Sequence, residues 1–141
     1  MKTAILILKK EHEQINDLLS DIEAFYKDDS NSFYLTTLFK RLNRIWDEHE
    51  LREERIFQVS KEKGMPFPNE TMLLQEHREL KGHWKVIEKA LAKGNKKEIR
   101  TSLDTDCKML ISKFKNHIAG EEDYFDVLIE KENSSQHDTL Q

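Results

Sequence analysis

Apolar residues recur every three or four positions through most of the chain, and this spacing is typical of amphipathic helices. The first such stripe comprises Ile5, Leu8, Ile15, Leu18, Leu19 and Ile22. Residues that interrupt helices cluster at positions 27–32, 64–69 and 93–96. The pattern therefore predicts four helices, over about residues 3–26, 32–63, 70–92 and 97–132, with Asn69 as the N-cap of the third.

Short connections between long helices make successive helices antiparallel, so the predicted fold is all-α, an up-down-up-down four-helix bundle. The composition agrees, because 35% of the residues are charged and the chain has only four glycines and two prolines. We expect one domain over residues 1–132. Residues 133–141 lack the apolar stripe and are predicted to form a disordered tail.

Charge and cysteine content argue against several kinds of function. The net charge is -4, and basic residues are mixed with acidic ones along the chain, which argues against nucleic acid as a partner. Apolar runs are too short to cross a bilayer, so we expect no membrane association. A single cysteine, Cys107, favours a cytoplasmic location and a small buried thiol over a redox centre. A metal site would then consist of histidines and carboxylates.

The second and fourth predicted helices share a repeated motif, H-x-x-x-E-E-x-x-F, at residues 49–57 and 117–125. A weaker repeat is the Glu-His dipeptide at residues 11–12 and 76–77, in the first and third helices. Together the two repeats predict two similar helical hairpins. Residues four apart lie on one face of a helix, so each H-x-x-x-E motif could hold one metal ion.

Antiparallel packing brings these motifs to one level of the bundle. With a rise of about 1.5 Å per residue, four histidines and two glutamates fall in a layer roughly 10 to 23 Å from the same end. These six residues are His12, His49, Glu53, His77, His117 and Glu121. Apolar residues precede the histidines by one turn, so the layer is predicted to be buried. Unpaired, each group would cost several kcal/mol by desolvation, and metal ions would supply the partners.

The type and number of these side chains indicate which metal they hold. Imidazole and carboxylate without thiolate disfavour copper(I), iron–sulfur clusters and cysteine-rich zinc sites, and the excess of imidazole disfavours magnesium and calcium. Iron is preferred over manganese. Six protein ligands suit two ions, each with two histidines and both bridged by the two glutamates. Two six-coordinate ions have about twelve positions, of which side chains and an oxo or hydroxo bridge fill about ten. Dioxygen, peroxide or nitric oxide could bind at the coordination positions that remain.

The ordered set of histidines and glutamates resembles that of the hemerythrin-like proteins, also called the HHE cation-binding domain, over about residues 3–132. In that family, four successive helices hold a non-haem di-iron centre with His, His-x-x-x-Glu, His and His-x-x-x-Glu (or His-x-x-x-x-Asp). The resemblance implies that these roles fall on His12, on His49 with Glu53, on His77, and on His117 with Glu121.

One position departs from the oxygen-carrying members of that family. Those proteins have a His-x-x-x-His pair in the third helix, whereas the residues four before and four after His77 are Leu73 and Lys81. The chain thus resembles the four-His, two-Glu bacterial and archaeal members. Dioxygen sensing, peroxide breakdown, nitric oxide response and repair of iron centres are attributed to these relatives, so the resemblance implies a more open site than that of an oxygen carrier.

Four functions stay open at this point. We expect a protein that binds or senses dioxygen or nitric oxide, because no dedicated acid or base stands out. The alternatives are a di-iron enzyme that breaks down peroxide, a protein that repairs iron centres or donates iron, and a helical bundle that acts through protein contacts without metal. A ferritin-like oxidase is excluded, because no histidine has a glutamate three positions before it.

Other polar and aromatic residues near the layer are assigned structural roles. Glu50, Glu54 and Glu122 are predicted to face solvent, although one of them could hydrogen-bond a ligand histidine. His83 lies about 120° from the direction of His77 on an ideal helix and is predicted to lie at the surface. Aromatic residues are expected to pack in the core and wall the pocket: Trp46, Phe57, Trp84, Phe114 and Phe125.

Overall fold

The computed structural model describes residues 1–27 and 32–140, with side chains up to residue 134. It contains the helices α1 (Lys2–Phe25), α2 (Ser32–Glu62), α3 (Glu70–Lys93), α4 (Lys96–Ser102) and α5 (Lys108–Leu140). A π-helical turn, Leu103–Cys107, joins α4 to α5. The described residues contain no strand, and the all-α prediction is confirmed. None of their helices is both long and apolar enough to cross a membrane. Residues 28–31, in the first predicted interruption, lie outside the described ranges.

Four long helices form a ring in which each one contacts two neighbours, and α4 and α5 together count as the fourth. α1 packs against α2 and α5, and α3 closes the ring between the same two helices. Contacts between distant residues show that α1 and α2 are antiparallel, because Met1 approaches Ser60 whereas Glu11 pairs with Arg52. α4, the π-helical turn and α5 together form the fourth helix of the bundle. The predicted four-helix bundle is thus confirmed.

Tight connections set where the helices begin and end. Gly64 and Gly94 have φ angles of 74° and 72°, a left-handed conformation that glycine adopts without steric cost, and Gly94 ends α3. Asn95 caps α4, because its side chain accepts hydrogen bonds from two backbone N–H groups of the first turn. Asn69 occupies the predicted N-cap position of α3, but its side chain makes no capping hydrogen bond.

The fourth helix of the bundle differs from the sequence prediction in two ways. The apolar pattern predicts one regular helix over residues 97–132, whereas residues 103–107 form a wider π-helical turn. Helix α5 also continues to Leu140, through the segment for which the sequence predicts a disordered tail. Residues 133–140 contain neither glycine nor proline, the two residue types that most strongly disfavour a helix.

Two apolar clusters fill the interior of the bundle. Members of the larger cluster include Ile15, Leu42, Trp46, Leu80 and Ile118. Members of the smaller cluster include Leu8, Ile56, Phe57, Leu73 and Phe125. On each helix of the ring, the predicted metal ligands lie between residues of the two clusters along the chain. The apolar core is therefore interrupted by a single polar layer.

Candidate metal centre

The polar layer consists of the six residues that the sequence predicts as metal ligands. α1 contributes His12, α2 contributes His49 and Glu53, α3 contributes His77, and α5 contributes His117 and Glu121. None of the six exposes more than 3% of its surface. The structure therefore brings the whole predicted set together in the interior.

The local sequence explains why the four histidines point inward. Each of them follows a buried apolar residue by three or four positions, and these residues are Leu8, Trp46, Leu73 and Phe114. Side chains at this spacing lie on the same face of a helix. The apolar stripe that packs the core thus also turns the imidazoles towards its centre.

The six side chains form two overlapping groups of four. One group comprises His12, His49, Glu53 and Glu121, and the other comprises Glu53, His77, His117 and Glu121. In each group, one donor atom from every residue lies within 4.8 Å of the others. Glu53 and Glu121 belong to both groups. Since a carboxylate has two oxygens, Glu53 and Glu121 can each offer a donor atom to both groups.

Glu53 approaches histidines from three helices. Its Oε2 atom is 2.7 Å from Nε2 of His49, which lies one turn earlier on α2. Its Oε1 atom is 3.4 Å from Nε2 of His77 and 3.7 Å from Nε2 of His117. One carboxylate thus faces histidines of both groups.

Glu121 joins α1 to α5 in a similar way. Its Oε1 atom is 2.9 Å from Nε2 of His117, one turn earlier on α5, and 3.4 Å from Nε2 of His12. Nε2 of His117 is also 3.1 Å from Nε2 of His77. The Nε2 atoms of all four histidines therefore turn towards the two carboxylates.

Many of these inward-facing atoms have no hydrogen-bond partner among the described residues. They are Nε2 of His12, Nε2 of His49, and both carboxylate oxygens of Glu53 and Glu121. A buried polar atom without a partner costs about 1–3 kcal/mol, so a layer of such atoms calls for a ligand. Metal cations fit this layer. Its atoms without a hydrogen-bond partner are imidazole nitrogens and carboxylate oxygens, and the donor atoms of each group lie close enough together to bind one ion.

Each histidine of the layer has a glutamate near its outer ring nitrogen, Nδ1. The pairs and their nitrogen–oxygen distances are His12 with Glu122 (2.8 Å), His49 with Glu11 (3.2 Å), His117 with Glu76 (2.5 Å) and His77 with Glu50 (3.6 Å). The first three are hydrogen bonds, and the fourth is too long for one. When Nδ1–H donates to a carboxylate, the Nε2 lone pair is free for a metal and the imidazole becomes a stronger ligand.

Two of these glutamates correct the sequence prediction. Glu50 and Glu122 are predicted to face solvent, but Glu50 is buried and Glu122 is half-buried. Each lies between helices because a lysine neutralises its outer oxygen: Lys81 is 2.9 Å from Glu50, and Lys9 is 2.8 Å from Glu122. A helical pattern read along one helix does not reveal such a partner on another. Glu54 is exposed, as predicted.

Sequence reasoning missed Glu11 and Glu76 as parts of the site. Each directly precedes a histidine of the layer but reaches the histidine of a neighbouring helix, His49 and His117 respectively. Arg52 pairs with the other oxygen of Glu11 and covers this side of the layer. The repeated Glu-His dipeptide at residues 11–12 and 76–77 is the sequence signal from which both glutamates could have been found.

Burial and ion pairing act in opposite directions on the charges of the layer. Burial lowers the pKa of His12, and the neighbouring His49 lowers it further. Burial also disfavours the charged form of His49, but the hydrogen bond to Glu11 and the adjacent carboxylate of Glu53 outweigh it and raise this pKa to about 9. Burial alone would raise the pKa of Glu53, yet the surrounding histidines hold it well below its usual value. Glu53 therefore stays ionised, the form that binds a cation.

Aromatic rings wall the layer, as the sequence predicts. Trp46 contacts His49, His77 and His117, with ring centroids 5.5, 5.1 and 5.8 Å away. Phe125 stacks on His12, with a centroid distance of 5.6 Å. Because these rings belong to the two apolar clusters, they limit the access of water to the ligands.

Three further side chains outside the layer have structural roles. His83 lies partly exposed at the bundle surface, as predicted, with Nδ1 3.0 Å from a carboxylate oxygen of Asp106. The hydroxyl of Tyr124 donates to the carbonyl of Pro66 at 2.8 Å. Cys107 is buried, as predicted, and burial raises the pKa of its thiol to about 12.

The fold and the polar layer together define a class of protein, a four-helix bundle that binds metal between its helices. The family model for the hemerythrin HHE cation binding domain matches residues 3–128. Since this match spans most of the chain, the protein belongs to that family, and the resemblance inferred from the sequence is confirmed. No curated protein and no solved structure matches the chain.

Proposed function

We propose that this protein holds two iron ions in the layer, joined by an oxo or hydroxo bridge, and binds or senses dioxygen or nitric oxide. The observation that carries the proposal is the sharing of Glu53 and Glu121 between two groups of four donors. A single ion would need only one of these groups. Each group offers two imidazoles and two carboxylates, a donor set that suits iron better than copper(I) or calcium.

The residues one helical turn before and after His77 support a coordination position on the iron that no side chain fills. One turn before it, Leu73 is buried and apolar. One turn after it, the ammonium group of Lys81 lies at the surface, 2.9 Å from Glu50. Neither side chain supplies a fifth imidazole, so the protein has the four-His, two-Glu pattern. The site is then more open than a five-His site, which favours sensing or reaction over oxygen carriage.

The side chains around the layer have separate tasks in this proposal. Two bound iron ions would supply the electrons that a small molecule takes up. Glu11, Glu76 and Glu122 hold three imidazoles with Nε2 directed inward. Trp46 and Phe125 exclude water, which favours binding of an uncharged molecule over release of charged products.

Iron content and the visible spectrum test the metal site. Protein produced with iron supplied should contain about two iron ions per chain, and His49→Ala should lose iron and stability. His83→Ala is the matched control, because His83 lies outside the layer. Fewer than about one ion per chain, together with unchanged stability of His49→Ala, would contradict the site.

The reaction of the reduced protein separates the candidate functions. Under anaerobic conditions, addition of dioxygen or nitric oxide should give a stable spectral change that reverses when the gas is removed. Rapid loss of added peroxide would instead identify a di-iron enzyme. Transfer of iron to an iron-free acceptor protein would identify repair or iron donation. Both of these results would keep the metal site and change the function.

A further inference from the structure

A cleft between α3 and α5 leads from the surface to the metal layer. Its volume is about 110 Å³, and its floor is formed by His117 and Glu121. Its walls include Phe67, Met72 and Tyr124. A cavity of only about 10–15 Å³ can hold a water molecule, so the cleft has room for a small molecule of a few atoms.

The two groups of donors differ in what covers them. On one side, Phe125 stacks on His12 and Trp46 stacks on His49. The Glu11–Arg52 ion pair lies over the outer edge of His49. On the other side, His117 of the second group and the shared Glu121 line the cleft. A molecule that comes through the cleft therefore meets this second group first.

The lining of the cleft combines fixed residues with residues that leave room. The rings of Phe67 and Tyr124 are 4.4 Å apart, and the hydroxyl of Tyr124 is fixed on the carbonyl of Pro66. Two other lining residues leave room, because Met72 is half exposed and has a flexible side chain and Gly120 contributes no side chain. A Cβ atom at Gly120 would meet nothing within 4 Å, so a larger side chain can be placed at this position of the cleft lining.

We propose that this cleft is the entrance to the metal centre, and that small uncharged molecules pass through it to the ion held by His77 and His117. The inference rests on the proposed function, because it assumes that the layer holds iron. The cleft selects by size through its aromatic wall. It selects against anions through the carboxylate of Glu76, which lines it and hydrogen-bonds His117.

A side chain placed in the entrance should slow passage without changing the site. In Gly120→Leu, we expect the association and dissociation rates of nitric oxide with the reduced iron form to fall by the same factor, about tenfold. The equilibrium dissociation constant should stay the same, because an obstacle in the path affects entry and exit equally. Gly82→Leu is the matched control, since Gly82 is also helical and exposed, with open space at Cβ.

A second variant tests the opposite direction. Met72→Ala removes a flexible side chain from the cleft wall at an exposed position and should raise both rates. Stopped-flow absorbance gives the association rate, and a nitric oxide scavenger gives the dissociation rate. Iron per chain and the midpoint of thermal unfolding show whether each variant keeps its site and fold.

Two failures can be told apart. If the wild-type protein binds no iron, the proposed function is wrong. If it binds iron and nitric oxide, but Met72→Ala and Gly120→Leu keep wild-type rates, the cleft is not the entrance. A changed dissociation constant in Gly120→Leu with unchanged association would also overturn the inference, because it would mean that residue 120 contacts the bound molecule. Should Gly120→Leu fail to fold, Met72→Ala alone decides between the outcomes.

Discussion

Glu53 shows how the layer depends on single residues. It is fully buried, and its oxygens face histidines of both groups without a hydrogen bond from the described residues. The histidines hold its pKa well below the usual value, so its charge persists over the physiological pH range. A buried negative charge needs positive charge beside it, either protons on the histidines or metal ions.

Glu53→Ala should remove most of the iron, because both ions then lose a ligand at once. His77→Ala should remove about half of it, since only one group contains this histidine. Iron per chain in the purified variants is the measurement. Glu54→Ala is the matched control, because Glu54 is the exposed neighbour of Glu53. Equal losses in Glu53→Ala and His77→Ala would contradict the shared role of Glu53.

The outer carboxylates should matter for affinity more than for folding. Glu11→Gln keeps the shape of the side chain but removes the charge that strengthens His49 as a ligand. We expect metal affinity to fall about 10- to 100-fold, measured by competition with a chelator of known affinity. Glu13→Gln makes the same charge change at an exposed position of α1. Equal affinities of the two variants would show that Glu11 only fills space.

The fourth helix of the bundle contains one additional residue in its π-helical turn. Leu103 and Cys107, at the two ends of the turn, are both buried, whereas Thr105 in its middle is exposed. A π-helical turn accommodates one residue more than an α-helical turn would. The buried residues Ile99 of α4 and Ile111 of α5 both pack into the larger apolar cluster, on either side of this turn.

Deletion of Thr105 should convert this turn to regular α-helix and leave the ligands of α5 in place. Deletion of Ser112, an exposed residue in the regular part of α5, should rotate His117 and Glu121 by about 100° relative to the apolar residues before them. Circular dichroism and iron per chain distinguish the two variants. We expect iron binding to survive only the first deletion, and loss of iron in both would contradict this account of the turn.

The whole molecule folds around a charged centre, with an apolar cluster on either side of it. The raised pKa of His49 means that this imidazole gains stabilising partners on folding. A group whose pKa is raised in the folded state contributes stability below its unfolded pKa, and this contribution is lost as the pH rises through the folded pKa. For His49 that range runs from 6.5 to about 9.

Metal-free protein should therefore become less stable between pH 6.5 and about 9, measured as the midpoint of thermal unfolding. Metal binds the neutral imidazole, so the apparent metal affinity should rise over the same range. Metal-free His49→Gln should lose most of the pH dependence, although His117, whose pKa is also raised, contributes in the same direction. A midpoint of the wild-type protein that stays constant or rises would contradict the assignment.

The sequence determines much of this protein because helices are local structures. Apolar spacing and the interrupting residues predict the helices to within a few residues, except at the π-helical turn and at the end of α5. The i, i+4 motifs and their common level in an antiparallel bundle predict the six buried residues of the layer. Each of these features depends on residues of one helix or on the order of the helices.

Only the tertiary structure decides what meets across the helices. That Glu11 reaches His49, that Glu50 is buried beside Lys81, and that a cleft opens between α3 and α5 depend on the rotation and register of whole helices. These quantities result from the packing of both apolar clusters at once, and no single helix encodes them. The six candidate metal ligands can thus be predicted from the sequence, whereas their protonation and the cleft that leads to them depend on how the helices pack.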